Sequence, residues 1–303
     1  MQTPPLFGSL AIWRDPRGQF SPLKAATLLL LLCPAATLAL RWALHDLGGR
    51  PVTEVLHGLG DWTVSLLLLT LAVTPARSVL DWPGVVRLRR LLGVATACYA
   101  GAHFCLYCVD QKWRLGTVAT EIGLRFYLAI GFAALLMLGV LAVTSTDRWQ
   151  KRLGRDWKRL HRLVFVLLPL ALWHYFLQSK ADVTEPVFAA GLASWLMLWR
   201  LAPRRWQGKL LLLPLLALLA GLAAAGIEAA WYGLTTGVRA WPVLEANLDL
   251  AFGPRPAVGV MLCGLAVFLA ALLRRATTRR PADGSFARLP SATGGIACRA
   301  GKP

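Results

Sequence analysis

Charged residues are scarce in this sequence. Only 16% of the 303 residues are Asp, Glu, Lys or Arg, whereas an ordinary globular protein has about 25%. Hydrophobic residues make up 56% of the chain. This composition excludes a disordered chain, a collagen, a coiled coil and a small disulfide-stapled domain, and it argues against a soluble protein. A polytopic membrane protein remains.

Several nucleotide-binding and haem-attachment motifs are also missing. The sequence has no Gly-x-x-x-x-Gly-Lys-Ser/Thr loop and no dinucleotide fingerprint after a strand, and no polar segment is long enough for a flavin or NAD(P)H domain. Cys105 and Cys108 form a Cys-x-x-Cys pair, but Val109 follows, so the c-type haem attachment pattern is absent. We therefore expect the reductant to come from another protein or from membrane quinol.

Eight apolar runs come close to the roughly 20 residues that a transmembrane helix requires. They lie near residues 23–44, 58–75, 91–109, 122–144, 161–178, 187–201, 209–227 and 256–273. We therefore predict an all-α polytopic membrane protein. Residues 1–22 precede the spans, and the polar, basic residues 275–303 are predicted to form a disordered tail.

The basic residues divide unevenly between the two sides of the predicted membrane. If both termini are cytoplasmic and eight spans alternate, the cytoplasmic segments hold 25 of the 33 Lys and Arg residues but only 5 of the 15 acidic residues. This bias follows the positive-inside rule, so we predict cytoplasmic termini. The same excess of basic residues explains the net charge of +18. Membrane lipid, and not nucleic acid, is therefore the expected partner of these bases.

A short internal repeat suggests a duplicated hairpin. Leu71-Ala72-Val73-Thr74 ends the second predicted span, and Leu141-Ala142-Val143-Thr144 ends the fourth. Each segment is followed by a basic loop and a new span. The second to fifth spans are therefore predicted to form a four-helix bundle from two copies of one hairpin.

The repeat places two histidines at similar depths. His103 follows the threonine of the first copy by 29 positions, and His174 follows that of the second by 30. Counted from Arg90 and Arg162, the two lie about 20 Å and about 18 Å from the cytoplasmic edge of the bilayer. Imidazoles that face each other in a helical bundle can bind a haem iron axially. The alternative is a pair of unrelated interfacial or hydrogen-bonded histidines.

The inner end of the bundle carries a different set of residues. His161 lies about 20 Å nearer the cytoplasm than His174, a depth that suits a second haem. The repeat places Arg90 at the corresponding position, and an arginine can hold a haem propionate or a flavin phosphate but cannot ligate iron. We therefore predict one bis-His haem on the outer side and an incomplete or differently ligated inner site. An interfacial residue in a basic loop is the alternative for His161.

His57 precedes the second predicted span on the outer side. From there it could reach the outer haem region, a quinol or a partner. A simple loop or helix-start histidine is the alternative.

The motifs in their order resemble the MsrQ family, formerly YedZ, of the ferric-reductase-like transmembrane group. The resemblance covers roughly residues 25–205. The segments that carry it are Thr53–Gly60, Leu71–Arg77, Arg89–Gly93 with His103, Thr144–Thr146, Leu153–His161 and His174-Tyr175.

The resemblance implies a six-helix core with haem b in residues 23–205. It implies His103, His161 and His174 as haem ligands and a characteristic histidine at the position of His57. It also implies a bacterial inner-membrane protein that receives electrons from quinol, or from a cytoplasmic flavin reductase through FMN. These electrons would pass to a periplasmic molybdenum-containing subunit that reduces methionine sulfoxide in proteins. The chain would then be a redox subunit rather than the catalytic one.

Residues 206–274 depart from the usual length of that family, because they add two predicted spans joined by an outer loop. They are expected to extend a partner-docking surface or to cover a lipid-exposed face of the haem. Two other functions stay open on the sequence: a ferric or cupric reductase membrane domain, and a transporter or structural membrane protein with incidental histidines.

Overall fold

The computed structural model describes residues 19–180, 182–249, 251 and 253–278. Most of the predicted N-terminal segment 1–22 and nearly all of the predicted tail 275–303 lie outside these residues. Two 3₁₀ turns, Pro83–Leu88 and His161–Leu163, lead into α3 and α8. The α-helices are α1 (Pro22–Ala43), α2 (Pro51–Val79), α3 (Arg89–Asp110), α4 (Leu115–Leu124), α5 (Phe126–Val143), α6 (Asp147–Leu153), α7 (Arg155–Leu160), α8 (Val164–Ser179), α9 (Thr184–Leu201), α10 (Leu212–Thr236), α11 (Ala240–Ala246) and α12 (Pro256–Thr278).

Within the described part of the chain, seven helical segments are long and apolar enough to cross a membrane: α1, α2, α3 with its preceding turn, α5, α7–α8 taken together, α10 and α12. The predicted all-α polytopic fold is therefore confirmed. The predicted span at 187–201 corresponds to α9, which has 18 residues but is not in this set. Its ends carry Glu185 and Arg200, and its middle is largely buried by other helices. Whether α9 crosses the membrane stays a prediction.

The predicted span at 122–144 is interrupted near its outer end. Arg125 has an extended backbone (φ −102°, ψ 108°), so α4 ends at Leu124 and α5 begins at Phe126. The side chain of Arg125 pairs with Glu121 and donates a hydrogen bond to the hydroxyl of Tyr127. These polar contacts stabilise the break between α4 and α5 at the edge of the apolar segment. The periodicity of hydrophobic residues alone predicts one continuous helix there.

The helices form two joined groups. In the first, α2 packs against α3 and α5 packs against α8, and these are the two hairpins that the repeat predicts. In the second, α9, α10 and α12 pack against one another. Helix α9 also contacts α2 and α8, so one buried apolar cluster runs through both groups.

The side chain of Tyr99 attaches α1 to the outside of the first group. The hydroxyl of Tyr99 on α3 donates to the Leu31 carbonyl (2.7 Å) and accepts from the Ala35 N–H (3.1 Å). These two backbone groups would otherwise be paired within α1, next to Pro34. The tyrosine thus binds one backbone group on each side of Pro34.

Small residues set the close approach of α9, α10 and α12. A Cβ added at Gly264 would lie 2.4 Å from Cβ and 3.1 Å from Cα of Ala217, and one at Gly191 would lie 2.5 Å from Val260. Helices in a bilayer gain stability from such close packing, because lipid supplies little hydrophobic driving force between them.

A buried carboxylate links the C-terminal half of α10 to the end of α11 and the start of α12. The Glu228 side chain is only 2% exposed; it accepts a hydrogen bond from Asn247 (2.8 Å) and is ion-paired with Arg255. A charge at this depth is stable only when it is paired and hydrogen-bonded. The two additional helices and their outer loop are therefore one packed unit.

We expect Gly264→Leu to destabilise the protein by roughly 1–3 kcal/mol, because overpacking must separate α10 from α12. Thermal unfolding of the detergent-solubilised protein measures the effect. The matched control is Gly226→Leu on α10, since nothing lies within 4 Å of a Cβ at that position. Equal losses of stability in the two variants would contradict the packing argument.

Candidate functional site

His103 on α3 and His174 on α8 face each other between the two hairpins. Their ring centroids are 6.4 Å apart, and the ring planes are nearly perpendicular (89°). The sequence predicted these two histidines at one depth, and the structure brings their rings together. Both side chains are partly buried.

A backbone carbonyl fixes the tautomer of each ring. Nδ1 of His103 lies 2.8 Å from the Leu56 carbonyl oxygen, and Nδ1 of His174 lies 2.8 Å from that of Tyr127. A carbonyl only accepts, so each Nδ1 carries the proton and donates it. Each Nε2 is therefore left with a free lone pair, the arrangement that metal-binding histidines adopt when a second group orients the ring.

The two histidine environments repeat in sequence as well as in space. Each histidine follows its carbonyl partner by 47 positions. In each copy a glycine stands four residues after the carbonyl: a Cβ at Gly60 would lie 3.3 Å from the His103 ring, and one at Gly131 would lie 2.6 Å from the His174 ring. The hydrogen at these positions makes room for the imidazoles. The duplicated hairpin inferred from Leu71–Thr74 and Leu141–Thr144 thus extends to the site itself.

His103 and His174 line a cavity of about 480 Å³. Most of its wall is apolar or aromatic. The principal apolar lining side chains are Leu67, Phe104, Leu128, Phe132, Leu135, Leu138 and Leu167. The predicted residue His57 also lines this cavity, and its side chain is exposed.

The pair fits the axial ligands of a haem. Two imidazoles on opposite sides of an iron, with metal–nitrogen bonds of about 2 Å, place their ring centroids about 6 Å apart. The observed 6.4 Å, the two free Nε2 lone pairs and the glycine clearances meet this requirement. The apolar and aromatic wall suits a flat macrocycle.

Polar side chains gather at one rim of the cavity. Asp61 and Tyr175 interact through their side chains, and Lys180, Asp182 and Glu185 complete the rim. Hydrogen bonds from the Thr184 side chain and backbone N–H lower the pKa of Asp182, so this carboxylate stays ionised. Charged groups of a ligand, or a partner protein, would contact the protein at this rim. No motif or spacing in the sequence marks these acidic residues as part of the site.

The inner residues are not paired in the same way. His161 stacks on Trp157 with ring centroids 4.0 Å apart, and its Nε2 lies 3.2 Å from the Thr144 hydroxyl. Arg90, which the repeat aligns with His161, binds Asp147 through its guanidinium (2.5 Å). The contacts found for His161 thus come from its own loop and the end of α5. Its role as a haem ligand stays a prediction.

Comparison with known proteins matches the same part of the chain. Residues 59–172 match the family described as "Ferric reductase like transmembrane component". The "Protein-methionine-sulfoxide reductase heme-binding subunit MsrQ" of Caulobacter vibrioides is 38% identical over 178 residues, which cover 58% of this chain and 83% of that protein. The protein of the same name from Xanthomonas campestris pv. campestris is 40% identical over 159 residues, or 52% and 73% of the two chains. No solved structure matches.

We expect Gly131→Ala to weaken haem binding about 10–100-fold, because the added methyl displaces the His174 ring from its carbonyl partner. Gly60→Ala should have a smaller effect, since its methyl meets the His103 ring at 3.3 Å rather than 2.6 Å. Gly139→Ala, on the same helix as Gly131 with nothing within 4 Å, is the control. Haem content and the Soret band measure the series, and an equal loss in all three variants would contradict it.

Proposed function

Because the chain belongs to the MsrQ family of haem-binding membrane subunits, we propose that it carries electrons across the membrane through haem b to a partner that reduces methionine sulfoxide in proteins. The observation that carries the proposal is the His103–His174 pair. Both rings are oriented by carbonyls, both Nε2 atoms are free, and both face one apolar cavity.

The protein's own residues would bind, orient and insulate the cofactor. His103 and His174 would hold the haem iron, and the carbonyls of Leu56 and Tyr127 would increase the basicity of both histidines. The apolar wall would limit the access of water to the site. This limited access, together with the ligands, would set the redox potential of the haem. When bound, haem supplies one-electron chemistry through its iron.

The electrons would enter near His161 and the basic loop and leave near the outer ends of α3 and α8. The donor would be quinol, or a cytoplasmic flavin reductase acting through FMN. The acceptor would be a periplasmic molybdenum-containing catalytic subunit, so the sulfoxide chemistry takes place in the partner. The relatives' name, which specifies a haem-binding subunit of a protein-methionine-sulfoxide reductase, supports this division of labour.

At the inner end, we propose that His161 and Arg90 mark the site of electron entry. Either His161 ligates a second haem, or Arg90 binds the phosphate of a flavin. His161 lies within the dense run of bases from Arg148 to Arg162, and Arg90 binds Asp147, which directly precedes that run. These bases would attract an anionic cofactor. His57 would contact the outer haem region, since it lines the same cavity.

The chain would lie in the bacterial inner membrane with both termini in the cytoplasm. The excess of Lys and Arg on one side of the predicted spans supports this orientation. This orientation counts α9 as a transmembrane span. It therefore also predicts that the loop before α9 and the loop after α9 lie on opposite sides of the membrane.

We expect His103→Ala and His174→Ala each to abolish the low-spin haem b signal, because each removes one axial ligand. The dithionite-reduced minus oxidised spectrum of the purified protein measures this. His45→Ala, in the exposed loop after α1, is the control and should keep full haem. Full haem in both ligand variants would refute the ligand assignment.

We expect the haem stoichiometry to decide the role of His161. A pyridine haemochrome assay that gives one haem per chain, unchanged in His161→Ala, would assign His161 to flavin or donor contact. Two haems per chain, reduced to one in His161→Ala, would make it a ligand. A change in the outer haem spectrum of His161→Ala would contradict the separation of the two sites.

The family description leaves one alternative function, reduction of a ferric or cupric chelate at the outer face. That activity needs no periplasmic partner. Reduction of a metal chelate by the purified, haem-loaded protein and quinol alone would favour this alternative. A colourless protein after haem-supplemented expression would instead favour a transporter or structural role.

A further inference from the structure

A tryptophan of α10 contacts the helix that carries His174. The ring centroid of Trp231 lies 5.0 Å from that of Phe176 and 6.4 Å from that of Trp173. Aromatic rings attract one another at these separations, and the edge-to-face arrangement of the two indoles (80°) is a favoured one. Phe176 is buried and Trp231 is partly buried, so their contact belongs to the packed interior of the bundle.

This contact lies behind the candidate haem ligand. Trp173 and Phe176 are three residues apart and therefore share one side of α8. At 3.6 residues per turn, they point about 100° and about 160° away from His174. The imidazole of His174 lines the cavity and binds the Tyr127 carbonyl at the start of α5. Trp231 therefore supports α8 from the side that faces away from the imidazole.

Helix α8 depends on such support because a proline interrupts its hydrogen bonds. Pro169 lies inside the helix, five residues before His174, and has no N–H to donate to the Phe165 carbonyl. The segment 170–179 is therefore joined to the first half of α8 less firmly than in an unbroken helix. The side chains packed around this segment then set the position of His174.

The C-terminal half of α10 is itself held in place. Glu228 lies about one turn before Trp231 and is bound by Asn247 and Arg255, which fix α10 to α11 and α12 at this level. Gly237 then ends the helix in a left-handed conformation (φ 72°). Trp231 thus projects from a fixed helix against the segment of α8 that carries His174.

We propose that Trp231 is a positioning residue for the haem, because it keeps His174 where its Nε2 can ligate the iron. The inference rests on the proposed function, since it takes His174 to be a haem ligand. Without the indole, the packing behind α8 is lost, and the segment after Pro169 can move away from α3. The 6.4 Å between the centroids of the two imidazoles then increases, and the bond from His174 to the iron weakens.

The additional helices would thus take part in the haem site, although they carry none of its predicted ligands. The alternative for Trp231 is an interfacial anchor that contacts only lipid headgroups, a common role of tryptophan in membrane proteins. Trp241 on α11 provides the comparison, because it is 68% exposed and its indole N–H binds Glu245 on the same helix.

We expect Trp231→Ala to produce a high-spin fraction in the ferric haem and to speed haem transfer to apomyoglobin about tenfold, because the axial bond to His174 weakens. Optical and EPR spectra of the purified, haem-loaded protein measure the spin state. Trp231→Phe keeps an aromatic ring behind α8 and should restore most of the low-spin signal. Trp241→Ala should match the wild type. Equal spectra and transfer rates in Trp231→Ala and Trp241→Ala would overturn the proposal.

A second variant separates positioning from a general loss of stability. Leu213 is only 2% exposed near the other end of α10, about 27 Å from Trp231 along the helix. Leu213→Ala should lower the Tm, because it leaves a cavity, but it should keep the low-spin spectrum and the slow haem transfer. If Leu213→Ala raised the high-spin fraction as much as Trp231→Ala does, Trp231 would act only through stability, and the proposal would fail.

Thermal unfolding of the full-length protein as purified tests the contact without reference to the iron. The variants are Phe176→Leu, Trp231→Leu and the double variant. Because the two rings contact each other, the double variant should lose less in Tm than the sum of the two single losses. Additive losses would contradict the support of α8 by Trp231.

These measurements distinguish the two proposals. If the wild-type protein binds no haem, the proposed function fails, yet the unfolding measurements still test the contact between α8 and α10. If the wild-type protein binds haem and Trp231→Ala changes neither its spin state nor its transfer rate, only the role of Trp231 fails.

Discussion

The hydrogen bond from an imidazole N–H to a helix carbonyl is the interaction on which the site depends. A helix carbonyl is normally occupied by the N–H four residues later, and a side chain at that later position restricts access to it. In both copies of the hairpin the later residue is a glycine, Gly60 after Leu56 and Gly131 after Tyr127. The missing Cβ lets the ring approach the carbonyl, so one small residue sets both the position and the tautomer of each histidine.

The sequence predicted the histidine pair because the repeat and the helical rise per residue both place His103 and His174 at a similar depth in the membrane. It did not predict the carbonyl partners, since backbone acceptors leave no mark on side-chain patterns. The glycines gave a usable signal: they stand at equal distances before His103 and His174, and aligning the two hairpins by their histidines would have found them. The break at Arg125 was missed because hydropathy continues across it, and only local polar contacts end the helix.

The inner site shows where the duplication stops. The second copy has His161 and the first has Arg90 at the corresponding position, and the structure gives these residues different partners. A pair of ligands needs a histidine from each copy, which is why the sequence predicts an incomplete inner site, and this stays a prediction. What His161 and Arg90 bind depends on ligands and partners outside the chain, and the spacing of side chains does not encode these.

The buried Glu228 also constrains how the protein is made. A helix that carries an unpaired carboxylate enters a bilayer at considerable cost, and this cost falls when a cation and an amide reach the same depth. Glu228 finds Arg255 and Asn247 only after residues that follow it in the chain have emerged from the ribosome. We therefore expect α10 to become stably embedded only when α12 arrives, so that the last two long helices enter the membrane as a pair.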